Sequence, residues 1–304
     1  MKRQLLVGTC LLALCATSAS GALVHRYTFD GNANDSVGTA NGVVMGSTGS
    51  YAGGQLVLSN PDNVGSAAFN DGNVPATGAY VDFPNHLIRD AAAAGQAGAV
   101  SVEMWVTMGQ NRDWSALFAA GISSSLVEGN SAGGNDNFPY LQIIPRTGDG
   151  GQGNDLRVTS NGIFGNESFV DAPGDSTDLQ VGVQEHLIAV FNQSGGLPGT
   201  ITVFRNGVQY GDPAPIANNL DIAANGAAFP VTTLADVNVW LGRSMWPDSL
   251  IDASIAEFRV YSHALTLADA QTNNTLGPNT VVPEPASCAL AALGLLGVAW
   301  TRRR

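Results

Sequence analysis

Lysine is almost missing from this sequence. Lys2 is the only one in 304 residues, which excludes a Walker-type phosphate loop, a Schiff-base lysine and pyridoxal chemistry from the interior. Cysteine is nearly as scarce. Cys10, Cys15 and Cys288 lie close to the two ends, so the middle of the chain has neither a disulfide nor a thiol nucleophile. Charged residues make up 12% of the chain, against about 25% in ordinary domains, and they are one-sided. Eight arginines between Arg26 and Arg259 stand against 25 acids between Asp30 and Glu284. A surface that acidic repels phosphate backbones, so nucleic acid is excluded as a main partner. No repeat of about 20–50 residues is visible. What remains is 44% hydrophobic residues with 37 Gly and 14 Pro, a composition for a folded, turn-rich domain rather than a disordered one.

The two ends read as addresses. Lys2 and Arg3 precede the apolar run Leu5–Ala16, and Ser20-Gly21-Ala22 offers small residues for cleavage. This is the pattern of a secretory signal over residues 1–22. At the other end, Val281-Val282-Pro283-Glu284-Pro285 leads into the apolar run Ala286–Trp300 and then Thr301-Arg302-Arg303-Arg304. As a helix, residues 286–300 would span roughly 22 Å, short of a ~30 Å hydrocarbon core. The terminal arginines orient such a segment with the domain outside the cell. This three-part tail, residues 278–304, resembles the PEP-CTERM sorting signal, with Pro283, Glu284 and Pro285 matching its motif. The resemblance implies an exosortase-type processing enzyme as partner, transient membrane insertion of the tail, and a destination in the bacterial envelope, cell surface or extracellular matrix.

Between the ends, residues 23–277 alternate with period two. Leu23, His25, Tyr27 and Phe29 share one face; Val102, Met104, Val106 and Met108 share another, opposite Glu103, Trp105 and Thr107. Further strands are predicted at Gln55–Leu58, Ala79–Phe83, Ala116–Ile122, Tyr140–Ile144, Asp155–Thr159, Glu185–Asn192, Thr200–Arg205, Val237–Gly242 and Ala256–Tyr261. Turn dipeptides punctuate them, and Asn206-Gly207 marks the clearest hairpin. Helix is expected only at Leu87–Ala94 and at Leu267–Asn273, where Thr266 is placed to cap against Asp269. The pattern predicts an all-β, two-sheet antiparallel sandwich.

Three segments carry a second resemblance. His25-Arg26-Tyr27-Thr28-Phe29-Asp30-Gly31, Ser101-Val102-Glu103-Met104-Trp105-Val106 and Ile255-Ala256-Glu257-Phe258-Arg259-Val260-Tyr261 look like the opening, central and closing strands of LamG-like jelly-roll domains. These belong to the concanavalin A-like lectin/glucanase superfamily. Material beyond a compact member is expected as loops at Ala52–Asn73, Glu128–Asp178 and Gly211–Ala235.

Two chemical motifs fail on context. Gly129-Asn130-Ser131-Ala132-Gly133 has no helix after it to form a nucleophile elbow. Gly148-Asp149-Gly150-Gly151-Gln152-Gly153 opens no helix to bind a dinucleotide. Relatives of the resembled superfamily that cut polysaccharides carry carboxylates on alternate residues of one strand. Here Glu103, Glu167, Glu185 and Glu257 each lack an acid two residues away, so a hydrolase is the alternative and a non-enzymatic module the leading reading. Asp30, Asn32, Asn34 and Asp35 gather hard oxygens in one turn, which suits Ca²⁺. The resemblance adds an acid from the closing strand, here Glu257, although Ala256 stands where its aspartate is expected. The competing reading is that Asp30 and Asp35 bond their own turn. Asn135, Asp136 and Asn137 form a weaker second cluster. Trp114, Tyr140 and Trp246 adjoin loops and are the candidates for an aromatic platform that binds carbohydrate, or else they pack over the sandwich rim. The expected function is thus an exported module binding polysaccharide or another envelope protein, or serving as a purely structural surface component.

Overall fold

Alternation of apolar and polar residues becomes two stacked antiparallel sheets in the computed structural model. It describes residues 22–61, 78–96, 98–124, 138–148, 154–162, 167–172, 177–217, 220–224 and 233–280. All of these belong to one unit, Gly21–Val282. Residues 1–21 of the expected signal peptide, Pro283-Glu284-Pro285, the tail helix and the cluster Asn135, Asp136 and Asn137 lie outside the described residues. Among the described residues no helix is long and apolar enough to cross a membrane.

In chain order the elements are β1 (Leu23–Tyr27), β2 (Val43–Met45), β3 (Gly49–Ala52), β4 (Gln55–Leu58), β5 (Tyr80–Phe83), α1 (Leu87–Ala93) and β6 (Ala99–Gln110). Then follow β7 (Phe118–Gly121), β8 (Tyr140–Ile144), β9 (Arg157–Asn161), β10 (Ser168–Val170), β11 (Gln184–Asn192) and β12 (Thr200–Arg205). The last are β13 (Val208–Pro215), β14 (Asn238–Leu241), β15 (Asp252–Tyr261) and α2 (Leu267–Leu276). One sheet runs β13-β12-β11-β6-β15-β4-β3, with β1 also paired to β15; the other runs β10-β9-β8-β7-β14-β5-β2. Non-consecutive neighbours in both sheets give the crossed connections of a jelly roll.

The core is the space between the sheets. Val102, Met104, Val106 and Met108 of β6 face Phe118, Leu141, Ile143, Val239 and Leu241 of the opposite sheet, around the stacked rings of Phe83 and Phe258. Asn206 and Gly207 both have positive φ, at 53° and 76°, and close the β12–β13 hairpin with Arg205 opposite Val208. That is the geometry an Asn-Gly turn provides without steric cost. Thr266 and Asp269 form a reciprocal capping box at the start of α2.

Three expectations are corrected. The stretch expected as extra loop material at Glu128–Asp178 carries β10 besides the two strands expected inside it, and the stretch from Gly211 begins with the end of β13. The expected strand Asp155–Thr159 lies two residues later, because Asp155 is taken up by Thr177: its Oδ1 accepts from that side-chain hydroxyl at 2.8 Å. Phe29, grouped with β1, lies beyond the strand end in a left-handed turn at φ 53°, yet remains buried in the core.

Candidate functional site

Strand alternation on β8 decides the site. Leu141 and Ile143 enter the inter-sheet core, so Tyr140, Gln142 and Ile144 point out of the other face of the seven-stranded sheet. Pairing register lines up Phe169, Thr159, Gln142, Ala119, Trp240 and Asp82 in one row across that face. Most of the row is roofed by the segment Arg243–Leu250 that follows β14. Where the roof stops, a cleft of about 580 Å³ opens, lined by Trp114, Tyr140, Gln142, Ile144, Glu167, Phe169, Trp246, Pro247 and Asp248.

The three aromatic residues expected at loops meet here. Trp246 donates its indole N–H to the Tyr140 hydroxyl at 3.0 Å, and that hydroxyl donates to Glu167. Phe138 packs against both rings, with centroids 5.4 Å from Tyr140 and 4.9 Å from Trp246. Trp114 sits on a left-handed turn, φ 63°, with its backbone N–H bonded to the Arg146 carbonyl at 3.0 Å. The Arg157 guanidinium lies 5.4 Å from the Trp114 ring and 3.9 Å from the Phe169 ring, tying the far wall together. Tyr140 is buried, whereas Trp114, Phe169 and Trp246 each leave part of the ring open.

Two carboxylates share the cleft. Glu167 is exposed at its edge. Asp248 is largely enclosed, with Ser244 Oγ 3.1 Å from Oδ2, and burial outweighs that hydrogen bond to push its pKa up to about 6. Burial, then the charge and hydrogen bond of Glu167, drive the Tyr140 hydroxyl well above the ordinary phenol value. A second, polar groove of about 510 Å³ shares Pro247 and Asp248 with the cleft and continues past Arg112, Asp113 and Arg146.

Sequence reasoning missed Glu167, Asp248, Gln142 and Phe169. No local spacing marks them, because register and the returning loop bring them together. The raised pKa of Asp248 gives a stability signature. The folded protein holds this proton more tightly than the unfolded chain, so stability falls as pH rises from about 4 to 6. Asp248→Asn is therefore expected to stabilise the fold at pH 8, by up to about 3 kcal/mol, and to leave it unchanged near pH 3. Urea unfolding at the two pH values checks this, and equal stability at pH 8 would mean the carboxylate is solvated.

The oxygen-rich turn has a different arrangement. Asp30, Asn32 and Asn34 are exposed, and Asn32 Oδ1 accepts from the Asn34 N–H at 2.8 Å. Asp35 is turned inward. Its Oδ1 accepts backbone N–H groups of Arg26 (3.1 Å), Val37 (3.1 Å) and Gly38 (2.9 Å), and its Oδ2 accepts from Ala40 N–H (3.1 Å) and faces His25 Nδ1 at 2.7 Å. Glu257 lies across on β15, where its Oε1 accepts from Arg26 Nε at 2.5 Å and Arg259 Nε at 2.7 Å. Arginines stand at the carboxylate expected to share a cation with the turn. Among the described residues no group of three or more His, Cys, Asp or Glu is arranged to hold a metal ion.

A family model described as the concanavalin A-like lectin/glucanases superfamily matches residues 75–271, more than half of the chain. A PEP-CTERM protein-sorting motif matches residues 281–304. Among solved structures, domain 4 of an extracellular GH43 arabinanase from Geobacillus stearothermophilus, in complex with arabinotriose, is similar at a TM-score of 0.54 and 20% identity. That match covers 83% of this chain and 98% of the other. Botulinum neurotoxin type C, whose cell entry is dependent upon interaction with two ganglioside molecules, matches at a TM-score of 0.52 and 11% identity, covering 84% of this chain and 51% of the toxin chain. The binding domain of botulinum neurotoxin DC, in complex with rat synaptotagmin II, matches at 0.50 and 13%, covering 87% and 54%. This chain thus spans about half of those toxin chains, and at such identities the likeness is one of fold. No curated protein matches the sequence.

Proposed function

The chain belongs to the concanavalin A-like lectin/glucanase superfamily, and from that premise we propose that it is an exported module that binds an uncharged polysaccharide in the Trp114–Tyr140–Trp246 cleft. The carrying observation is the convergence of open aromatic faces with hydrogen-bonding groups in one concavity. The C–H faces of a sugar ring stack on such rings while its hydroxyls meet Gln142, Glu167 and Asp248. The lining carboxylates and the acid excess of the whole chain disfavour uronates and other anionic glycans. The groove beyond Pro247 gives a chain of several sugars room to continue. Residues 281–304 supply the address: the sorting motif supports export, processing by an exosortase and a place at the bacterial cell surface.

The test is a panel of neutral and acidic polysaccharides with the secreted protein. Trp246→Ala is expected to weaken binding of a neutral glycan about 30-fold at a temperature where the variant is fully folded, its melting temperature falling because the indole packs on Phe138 and bonds the Tyr140 hydroxyl. Binding restricted to acidic glycans, or unaffected by Trp246→Ala, would defeat the proposal. A second reading is favoured by one observation: Glu167 and Asp248 share the cleft in unlike environments, the pairing from which a glycosidase draws its acid and base. Turnover of the bound glycan, lost in Glu167→Gln and in Asp248→Asn, would establish that reading.

A further inference from the structure

The last described residues do not simply leave the sandwich. After Gly277, at φ 72°, and Asn279, at φ 66°, the chain folds back over the outer face of the eight-stranded sheet. There the backbone N–H of Asn279 donates to Glu257 Oε2, and the carbonyl of Thr280 accepts from Arg259 Nη2 at 2.7 Å. Both side chains that make these bonds are fully buried, at 0% and 1% exposure, and both also hold other parts of the fold. Glu257 accepts from Arg26 of β1, and Arg259 reaches Glu103 of β6 at 3.2 Å. One carboxylate therefore ties together the first strand, β1, and the last residues before the matched sorting motif. The side chains of Asn279 and Thr280 themselves are exposed, so backbone rather than side chain is what is held.

The place where this tether ends matters. Thr280 is the residue before the sorting-motif match begins, and three peptide units separate it from Pro283, a reach of about 11 Å at full extension. A processing enzyme must bind an extended stretch of chain around its cleavage point. Residues 279 and 280 cannot lie extended in an enzyme cleft while they are bonded to Glu257 and Arg259. We propose that Glu257 and Arg259 are positioning residues that latch the approach to the sorting motif onto the folded sandwich and so slow its processing. This rests on the exosortase reading of the tail.

Asn279 offers a test that leaves the buried side chains alone. Asn279→Pro removes the donated N–H and cannot adopt the positive φ, whereas Asn279→Gly keeps both. The full-length chain is expressed in a host that carries the sorting enzyme, and conversion of tail-bearing precursor to product is followed by pulse-chase. The proline variant is expected to be processed about tenfold faster, the loss of one charge-assisted hydrogen bond. The glycine variant should match the parent, and the product of the proline variant should melt only a few degrees lower, because the same hydrogen bond is missing from the folded product. Equal or slower processing of the proline variant overturns the latch and leaves the tail reading standing. No processing of any of the three, the parent included, overturns both.

Discussion

Replacing Arg259 with leucine is expected to cost about 3–5 kcal/mol of folding free energy, the range seen when one partner of a buried ion cluster is deleted. Arg259 is 1% exposed and bonds Glu103 and Glu257, each 0% exposed. Its guanidinium also covers the Trp105 ring at 4.5 Å. Without it, Glu103 keeps only neutral donors and a histidine: Tyr261 hydroxyl at 2.6 Å, Asn273 Nδ2 at 2.9 Å and His186 Nε2 at 2.8 Å. Glu257 keeps Arg26 and Asn279. Burial alone would raise Glu257, but hydrogen bonds from Arg259 and Arg26, with the charge of Arg259, hold it below the usual carboxyl range. Its contribution is therefore present above the ordinary glutamate value and is lost as pH falls through the depressed one. In Arg259→Leu that balance shifts toward the protonated form, since Glu257 keeps one arginine instead of two and a buried glutamate with fewer cations takes up its proton more readily. The variant should regain part of its lost stability between pH 7 and 5, where the parent does not. Urea titration gives both numbers. A loss below about 1 kcal/mol, with no pH dependence, would mean that water replaces the guanidinium at no cost.

That cluster also marks where the sequence stops being readable. Alternation places β4, β8 and β12 at their observed bounds, because each has one face in the core and a Gly, Pro, Ser or Asn just beyond each end. It does not reveal β2 or β10. Each is three residues long, and Val43 and Met45 of β2 are exposed, so no apolar stripe is present to detect. Glu103 reads as a solvent-face residue opposite Met104, yet it is buried because α2 lies over it and Asn273 reaches it. The one available signal is cross-strand: Glu103 and Arg259 are direct partners in the β6–β15 register, which becomes visible only when those two strands are paired. The cleft divides the same way. Trp114, Tyr140 and Trp246 are conspicuous as aromatic residues beside loops, whereas Glu167 and Asp248, 81 residues apart, acquire meaning only from the return of the chain after β14.

The oxygen-rich turn yields the second large effect. Asp35→Ala is expected to destabilise the domain by about 3 kcal/mol, and so to lower the melting temperature by roughly 6–12 °C. One carboxylate there satisfies four backbone N–H groups and faces His25, and Gly38 approaches so closely that an added Cβ would lie 2.5 Å from Asp35 Oδ2. Truncation strands those donors together rather than one at a time. Asp35→Asn keeps the shape but turns an N–H₂ toward one of them, so it should recover only part of the loss. Burial opposes ionisation here, but the bonds from His25, Gly38, Arg26 and Val37 prevail and hold Asp35 below the ordinary aspartate value. Its contribution is then full above about pH 4 and fades as pH falls through the depressed value, and Asp35→Asn should flatten that acid limb. We read the turn as held by protein donors, with Arg26 linking Asp35 through its backbone and Glu257 through its side chain. Melting the parent and both variants in chelator and in millimolar Ca²⁺ separates this from a cation site. Donor-held geometry gives the same losses in both buffers. A bound ion would raise the parent's melting temperature in calcium, and the variants would lose that increment.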